Sequence, residues 1–483
     1  MLPKQNKPKP SKYSKLYDIL IPQDHELRKL IQLVDFSFVY DELSSKYSID
    51  MGRAAVDPVQ MFKYLFLKIR YNLSDRDLIE RAKTDMAMKF FIGLNPEDDV
   101  IHPSLLSKFR RQRLKDVNLL KVLIKKTVEI AIQQDVLQKE TVIVDATHTV
   151  ARYNQKSPIE TLRQASKILR KRIYEIDPSM KDQFPAKNTK SDLALEQEYT
   201  DKLLSTIEKY PKIIRQIKIS EAFNNLNELQ GDVKEYEKYS KDNDAKVGHK
   251  DKDSSFFGYK THLAMSENRI ITAAVITGGE KGDGQYLERL VSDSNENGMN
   301  VKEIIGDHAY SGKLNIQYAN ENNFSLISRL TPVITNGFRK PEDLWDYNKD
   351  AGMFVCPNGQ MAIRKARQGR KSLNQTMTYY FDIQKCQNCP LRDGCYKPGA
   401  KSKTYNITLK SNEHTNQMEF ENTEYFNNRV KQRYEIEAKN AELKTKHGYD
   451  KSWSSGITSM TLQGAITLFC VNIKRITKLI NEK

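Results

Sequence analysis

The sequence predicts a mixed α/β protein, and three observations carry that expectation. Five short stretches are rich in β-branched and other strand-forming residues: 141–150, 256–264, 270–277, the run ending at 307, and 324–330. Helical periodicity fills the chain ahead of the first strand and separates the later ones. Two apolar runs close on an acid that packing does not explain: Thr141-Val142-Ile143-Val144-Asp145 and Val301-Lys302-Glu303-Ile304-Ile305-Gly306-Asp307.

Residues 1–20 are rich in Lys and Pro and read as a disordered basic arm. Residues 21–140 read as a helical domain. Asp57-Pro58 is an N-cap followed by Pro at the first helical position, with Met61, Tyr64, Leu65 and Ile69 at helical spacing. Ser74-Asp75-Arg76-Asp77 resembles a capping box and opens a helix expected to stop near Gly93. The segment 104–115 is a short amphipathic helix whose Arg110, Arg111, Arg113 and Lys115 form a basic stripe. That stripe suits a DNA-contacting helix and equally the solvated face of a bundle.

The first strand follows at 141–150. Residues 158–240 are highly charged, helical in period and nearly free of Gly, with breaks at Asp177-Pro178 and Tyr210-Pro211. They read as an inserted helical arm or an exposed spacer. The strands 256–264 and 270–277 are joined by a turn at Glu267-Asn268. A helix is expected over 284–294, then the strand ending at Asp307, a short helix from Ser311, and the strand 324–330. Residues 331–410 are turn-rich and hold four of the five cysteines. With both insertions set aside, the order βββαβαβα matches a ribonuclease-H-like core built from 141–157, 241–330 and 411–483.

Lys and Arg total 78 against 62 Asp and Glu, a net charge of +16, which favours a polyanionic partner and makes its binding salt-dependent. No signal peptide is evident, and apolar runs such as 465–471 are too short to span a bilayer. A soluble, cytoplasmic, nucleoid-associated protein with no membrane partner is expected. Five cysteines in 483 residues make no disulfide scaffold. No Walker-type phosphate loop occurs, so no nucleotide cofactor is expected.

Two strand-end aspartates and a helical glutamate, Glu437, can form a carboxylate cage for hard divalent cations. Two such ions can activate an oxygen nucleophile and stabilise a leaving oxygen in phosphoryl transfer. Arg433, Glu437 and Lys444 are spaced by 4 and 7 and share one helical face. Lys260 and His262 are candidates for DNA contact or for support behind the metal ligands, though plain strand alternation accounts for them as well. Asp283, between Gly282 and Gly284, reads better as a helix cap than as part of the site. Cys386 and Cys389, with Cys395 and Cys356, could hold one tetrahedral Zn²⁺ or remain reduced thiols. Cys470 reads as core.

These residues resemble the DDE transposases of bacterial insertion sequences. The likeness is to the large branch with an N-terminal helical segment and a cysteine-bearing insertion before the last acid. It rests on Asp57-Pro58-Val59 through His102-Pro103-Ser104 and Phe109-Arg110, and on Val144-Asp145-Ala146-Thr147-His148. It continues through Asp244-Ala245-Lys246, Phe257-Gly258-Tyr259-Lys260 and Asp307-His308-Ala309-Tyr310, and ends with Arg433, Glu437 and Lys444. The resemblance implies Asp145, Asp307 and Glu437 as ligands of two Mg²⁺ ions, for which Mn²⁺ can substitute, and Arg433 and Lys444 near transposon-end DNA. It implies binding of inverted repeats, cleavage and strand transfer to target DNA, by a homodimer assembled on double-stranded DNA. One departure is Val430, where the family often has Tyr. A non-catalytic regulator derived from such an enzyme and a metal-dependent nuclease without joining activity are the alternatives.

Overall fold

The computed structural model describes residues 11–48, 54–115, 117–152, 158–190, 192–235, 242, 244–249, 255–335, 345–369 and 375–483. The first ten residues of the expected arm lie outside that set. From residue 11 onward the arm is docked rather than disordered. Tyr17 is buried on the Leu16–Leu20 helix, and its hydroxyl donates to the Leu94 carbonyl at 2.7 Å. One aromatic with a satisfied hydroxyl is enough to anchor a basic segment.

The N-terminal helices start and stop where side chains dictate. Asp57 accepts from Val59 N at 2.7 Å and Pro58 opens the Pro58–Arg70 helix. Ser74 caps the Asp75–Thr84 helix through Asp77 N at 3.1 Å. The helix expected to run on to Gly93 is broken at Asp85. That residue leaves helical geometry and caps a second helix, Met86–Ile92, through Met88 N at 3.0 Å. Gly93, at φ +89°, ends it.

The central sheet has six strands: β1 (Thr141–Val150), β2 (Lys246–His249), β3 (Ser255–Ser266), β4 (Ile271–Gly278), β5 (Glu303–Ile305) and β6 (Ser325–Ile327). Its order is β2-β3-β1-β5-β6, with β4 also paired to β3. β1, β3 and β4 are antiparallel, whereas β1, β5 and β6 are parallel. This is the ribonuclease-H-like arrangement expected from the element order. β2 was not anticipated, since four residues that include a glycine give no strand signal; its pairing with the start of β3 defines it.

Alternate residues of β1 serve two cores. Val142 and Val144 pack with Leu287, Leu290 and Ile316 from the Leu287–Glu296 and Lys313–Glu321 helices. Ile143 faces the other way, into a larger core shared with the N-terminal helices, the Tyr434–His447 helix and the 26-residue Ile457–Glu482 helix. Phe469 of that last helix meets Phe36, Phe62 and Phe66 at 5.8–6.3 Å between ring centroids. No helix among the described residues is long and apolar enough to cross a membrane.

Each insertion has its own core. The Pro158–Tyr174, Leu193–Glu208 and Ile217–Glu235 helices bury Leu162, Leu169, Leu203, Ile207 and Leu226 together. Within 331–410, Thr376–Phe381 pairs with Arg364–Gln368 and Lys403–Thr408 in a small sheet around Phe354, Tyr379 and Phe381. Trp345 stacks on Tyr405 at 4.4 Å.

Candidate active site

The two strand-end acids meet by register. Thr141 pairs with Glu303 and Ile143 with Ile305 across the parallel β1–β5 ladder. Asp145 and Asp307 each lie two residues beyond the last pair, Asp145 still on β1 and Asp307 in the turn after β5, where its charge raises the Asp145 proton affinity. Gly306 makes room for the turn after β5, since a Cβ there would lie 2.8 Å from the Tyr310 ring and 3.0 Å from Val144. Asp307 Oδ1 accepts from Ala309 N at 2.9 Å, and its carbonyl accepts from the Ser328 hydroxyl at 2.5 Å.

The Tyr434–His447 helix lies against β1. Asn440 Nδ2 donates to Asp145 Oδ2 at 2.9 Å, and Lys444 Nζ stands 3.3 Å from the His148 ring. Glu437 lies on the same helical face, between Arg433 and Asn440. Its carboxylate is bound by Arg433 at 2.5 Å and its side chain is 53% exposed.

A third aspartate joins the pair. Asp283 makes no side-chain cap; its backbone is already helical. Its Oδ1 instead accepts from Lys260 Nζ at 2.9 Å and lies 3.5 Å from His262 Nδ1. This corrects the cap expectation. Lys260 is held there by a second bond, to the Lys281 carbonyl at 3.0 Å. His262 is fully buried, stacks on Tyr286 at 4.3 Å and bonds Thr277 Oγ1 at 3.0 Å. Burial, against the pull of Asp283, pushes His262 down to about 4, so its ring is neutral at physiological pH.

The acids strain against one another. Burial pushes Asp145 up to about 6, and the Asp307 and Asp283 charges add to that against the Ala146 amide and Arg433. Asp307 is raised too, by burial and then Asp283, with Ala309 N, Arg433 and His308 opposing. The fully buried Tyr310 hydroxyl feels Asp145, Asp283 and Asp307 and has no hydrogen-bond partner; Asn440 Oδ1 is also unpaired. Hard oxygen donors thus converge where negative charge is already in excess. Among the described residues, however, no three Asp, Glu, His or Cys side chains stand ready to hold a metal ion. The expected three-acid cage is not preformed, because Glu437 is drawn to Arg433, the cation one helical turn away.

The basic residues divide. Arg110 is occupied: its guanidinium clamps Asp75 at 2.5 and 3.1 Å and reaches Ser107 Oγ at 3.2 Å. Arg111 is exposed on the Ser104–Gln112 helix. With Lys115, Arg152, Ser454, Ser455 and Thr458 it lines a groove of about 580 Å³. The four cysteines Cys356, Cys386, Cys389 and Cys395 are free and gather at one end of the small sheet, near enough that the other three raise Cys386 after burial does. They do not form a finished ligand set. Cys470 is buried in the core.

Asp145 and the Arg433–Lys444 face of the Tyr434–His447 helix meet through Asn440, which sequence reasoning did not single out, and Asp283 is bound to Lys260. Asn440 was within reach: it sits three residues after Glu437 and four before Lys444, on the face already identified. Residues 15–112 match a family model described as Transposase domain (DUF772), and residues 355–477 match one described as Transposase DDE domain. The second match includes Glu437 and Lys444. No curated protein matches the chain. The two matches, flanking in sequence a sheet with the ribonuclease-H-like strand order, support a DDE transposase of insertion-sequence type.

Proposed function

We propose that this transposase binds the inverted-repeat ends of its element, cleaves them with divalent metal and joins the freed 3′-hydroxyls to target DNA. The observation that carries the reading is the pair of half-buried acids, Asp145 on β1 and Asp307 just beyond the adjacent parallel β5, with raised proton affinity beside unpaired oxygen donors. Two Mg²⁺ or Mn²⁺ ions would supply a Lewis-acid pair for the attacking and leaving oxygens. Asp145 and Asp307 fit such hard cations through carboxylate oxygens. Glu437 completes the set by a side-chain rotation from Arg433, which frees that guanidinium for a phosphate.

β1 and the Tyr434–His447 region run side by side from the acids to the basic groove. The links are Asp145 to Asn440, Thr149 to the Tyr449 carbonyl at 2.9 Å, and Arg152 to Ser452 and Trp453. The seven residue steps from Asp145 to Arg152 span about 23 Å at roughly 3.3 Å each, the length of about seven base pairs. End DNA laid on this track would meet Arg433 and Lys444 near the cut and Arg111 and Lys115 further in. Two copies acting together on two ends, in the cytoplasm at the nucleoid, complete the reading. The cysteine cluster would take one structural Zn²⁺, closing a small sheet with few core residues. Native mass spectrometry should show one zinc per chain, lost in Cys386→Ser.

The test is end cleavage and strand transfer with Mg²⁺ on a short inverted-repeat duplex and a plasmid target. Asp307→Ala should bind the duplex and cut nothing. Undiminished cutting by that variant removes the assignment. Cutting by the parent protein without joined products makes it a nuclease, and binding without cutting makes it a regulator.

A further inference from the structure

We propose that Asp283 is a positioning residue of the metal pocket: its carboxylate, fixed by Lys260 and backed by His262, sets how tightly the pocket takes a divalent cation. The inference rests on the metal-dependent reading above and adds a residue to it.

Geometry ties Asp283 to the acids. A Cβ on Gly284 would sit 2.3 Å from the Ala309 carbonyl, so only glycine lets the turn carrying Asp283 press against the turn that follows Asp307. Asn315 Nδ2 bonds both turns, to the Gly284 carbonyl at 2.9 Å and the Tyr310 carbonyl at 3.0 Å. Lys260 and His262 alternate along β3 and share the side of Ala264, which packs beneath the Leu287–Glu296 helix. They therefore hold Asp283 from the opposite side of the sheet to the Tyr434–His447 helix.

One fully buried polar group beside the acids has no hydrogen-bond partner, the Tyr310 hydroxyl. Buried polar groups are rarely left so. It suits contact with the water shell of a hydrated cation, which is how Mg²⁺ usually binds. The Lys260–Asp283 pair then acts as a charge setting. With both present they nearly cancel. Without Asp283, Lys260 is an uncompensated cation next to the pocket; without Lys260, Asp283 is an extra anion.

This predicts changes of opposite sign, which a merely structural role cannot produce. Mn²⁺ binding to the full-length chain, free of DNA, is read by electron paramagnetic resonance of the unbound ion. Asp283→Asn should weaken it about ten-fold, the range expected for groups behind metal ligands. Lys260→Met should tighten it several-fold. Cleavage by Asp283→Asn should recover as Mn²⁺ is raised. Asp145→Asn is the control for the site itself. If it abolishes binding while Asp283→Asn changes nothing, the role of Asp283 is refuted and the metal site stands. If both Asp283→Asn and Lys260→Met weaken binding alongside a lowered melting temperature, Asp283 is only a structural link and the proposal falls. If Asp145→Asn leaves binding intact, the underlying metal assignment is the part that fails.

Discussion

Asp75 and Asp145 are both half-buried carboxylates, yet their surroundings push them in opposite directions. Around Asp75 stand two cations, Lys68 at 2.7 Å and Arg110 at 2.5 Å, and they more than offset the upward pull of burial, so its carboxyl lies below the usual range. Around Asp145, burial and two further acids outweigh the Ala146 N–H, the Asn440 amide and Arg433, and its proton affinity rises to about 6. The first acid joins the Pro58–Arg70, Asp75–Thr84 and Ser104–Gln112 helices. The second stays under-compensated, since burial and its acidic neighbours outweigh the nearby Arg433. Compensation marks structure, and its lack marks chemistry.

The sharpest way to break this contrast is through activity. On the proposed metal-dependent reading, Asp307→Ala should lower end cleavage about a thousand-fold or more, since a lost metal ligand removes several kcal/mol of transition-state stabilisation. Asp75→Asn should leave the cleavage chemistry of the folded fraction intact. Stability should reverse the ranking. Asp75→Asn should destabilise the fold by about 3 kcal/mol in denaturant titration, because two cations are left without their anion. Asp145→Asn should stabilise the metal-free protein at pH 7.5 by roughly 2 kcal/mol.

The pH dependence carries the same sign. The Asp75 carboxyl is depressed, so its contribution is present above its unfolded value of 3.8 and is lost as pH falls through the folded one. The gap between parent and Asp75→Asn should close in acid. The Asp145 carboxyl is raised, so its folded-state advantage exists below 3.8 and is gone once pH rises through about 6. The gain from Asp145→Asn should appear over that interval and vanish on adding Mn²⁺ to the parent. The smallest expected effect concerns the groove. Arg111→Ala with Lys115→Ala should weaken DNA binding about ten-fold at moderate salt and reduce the salt slope by about 2. An unchanged slope would place the duplex elsewhere.

Much of this was legible in the residues. β-branched runs gave the strands, their order gave the sheet, and the spacing of Arg433, Glu437 and Lys444 gave a single helical face. What stayed hidden depends on partners far away in the chain. Gly282-Asp283-Gly284 looks like any cap until Lys260, 23 residues earlier, claims the carboxylate. Arg110 looks like a free cation until Asp75, 35 residues earlier, occupies it. A charge stripe reports which side chains share a face, not which acids reach them. The break at Asp85 was hidden for a local reason: an aspartate inside a helical pattern can stay in the helix or start another, and only the backbone reveals which.

The Phe469 cluster has a consequence for how such proteins can diversify. One ring from the last helix is wedged among Phe36, Phe62 and Phe66, so the start and finish of the chain share one interior. A recognition segment borrowed from a cousin would arrive with the wrong knobs for that socket. On the proposed reading, new terminal-repeat preferences would evolve through surface changes on the existing helices, and chimaeras cut near residue 140 should be insoluble unless the closing helix travels with the opening ones.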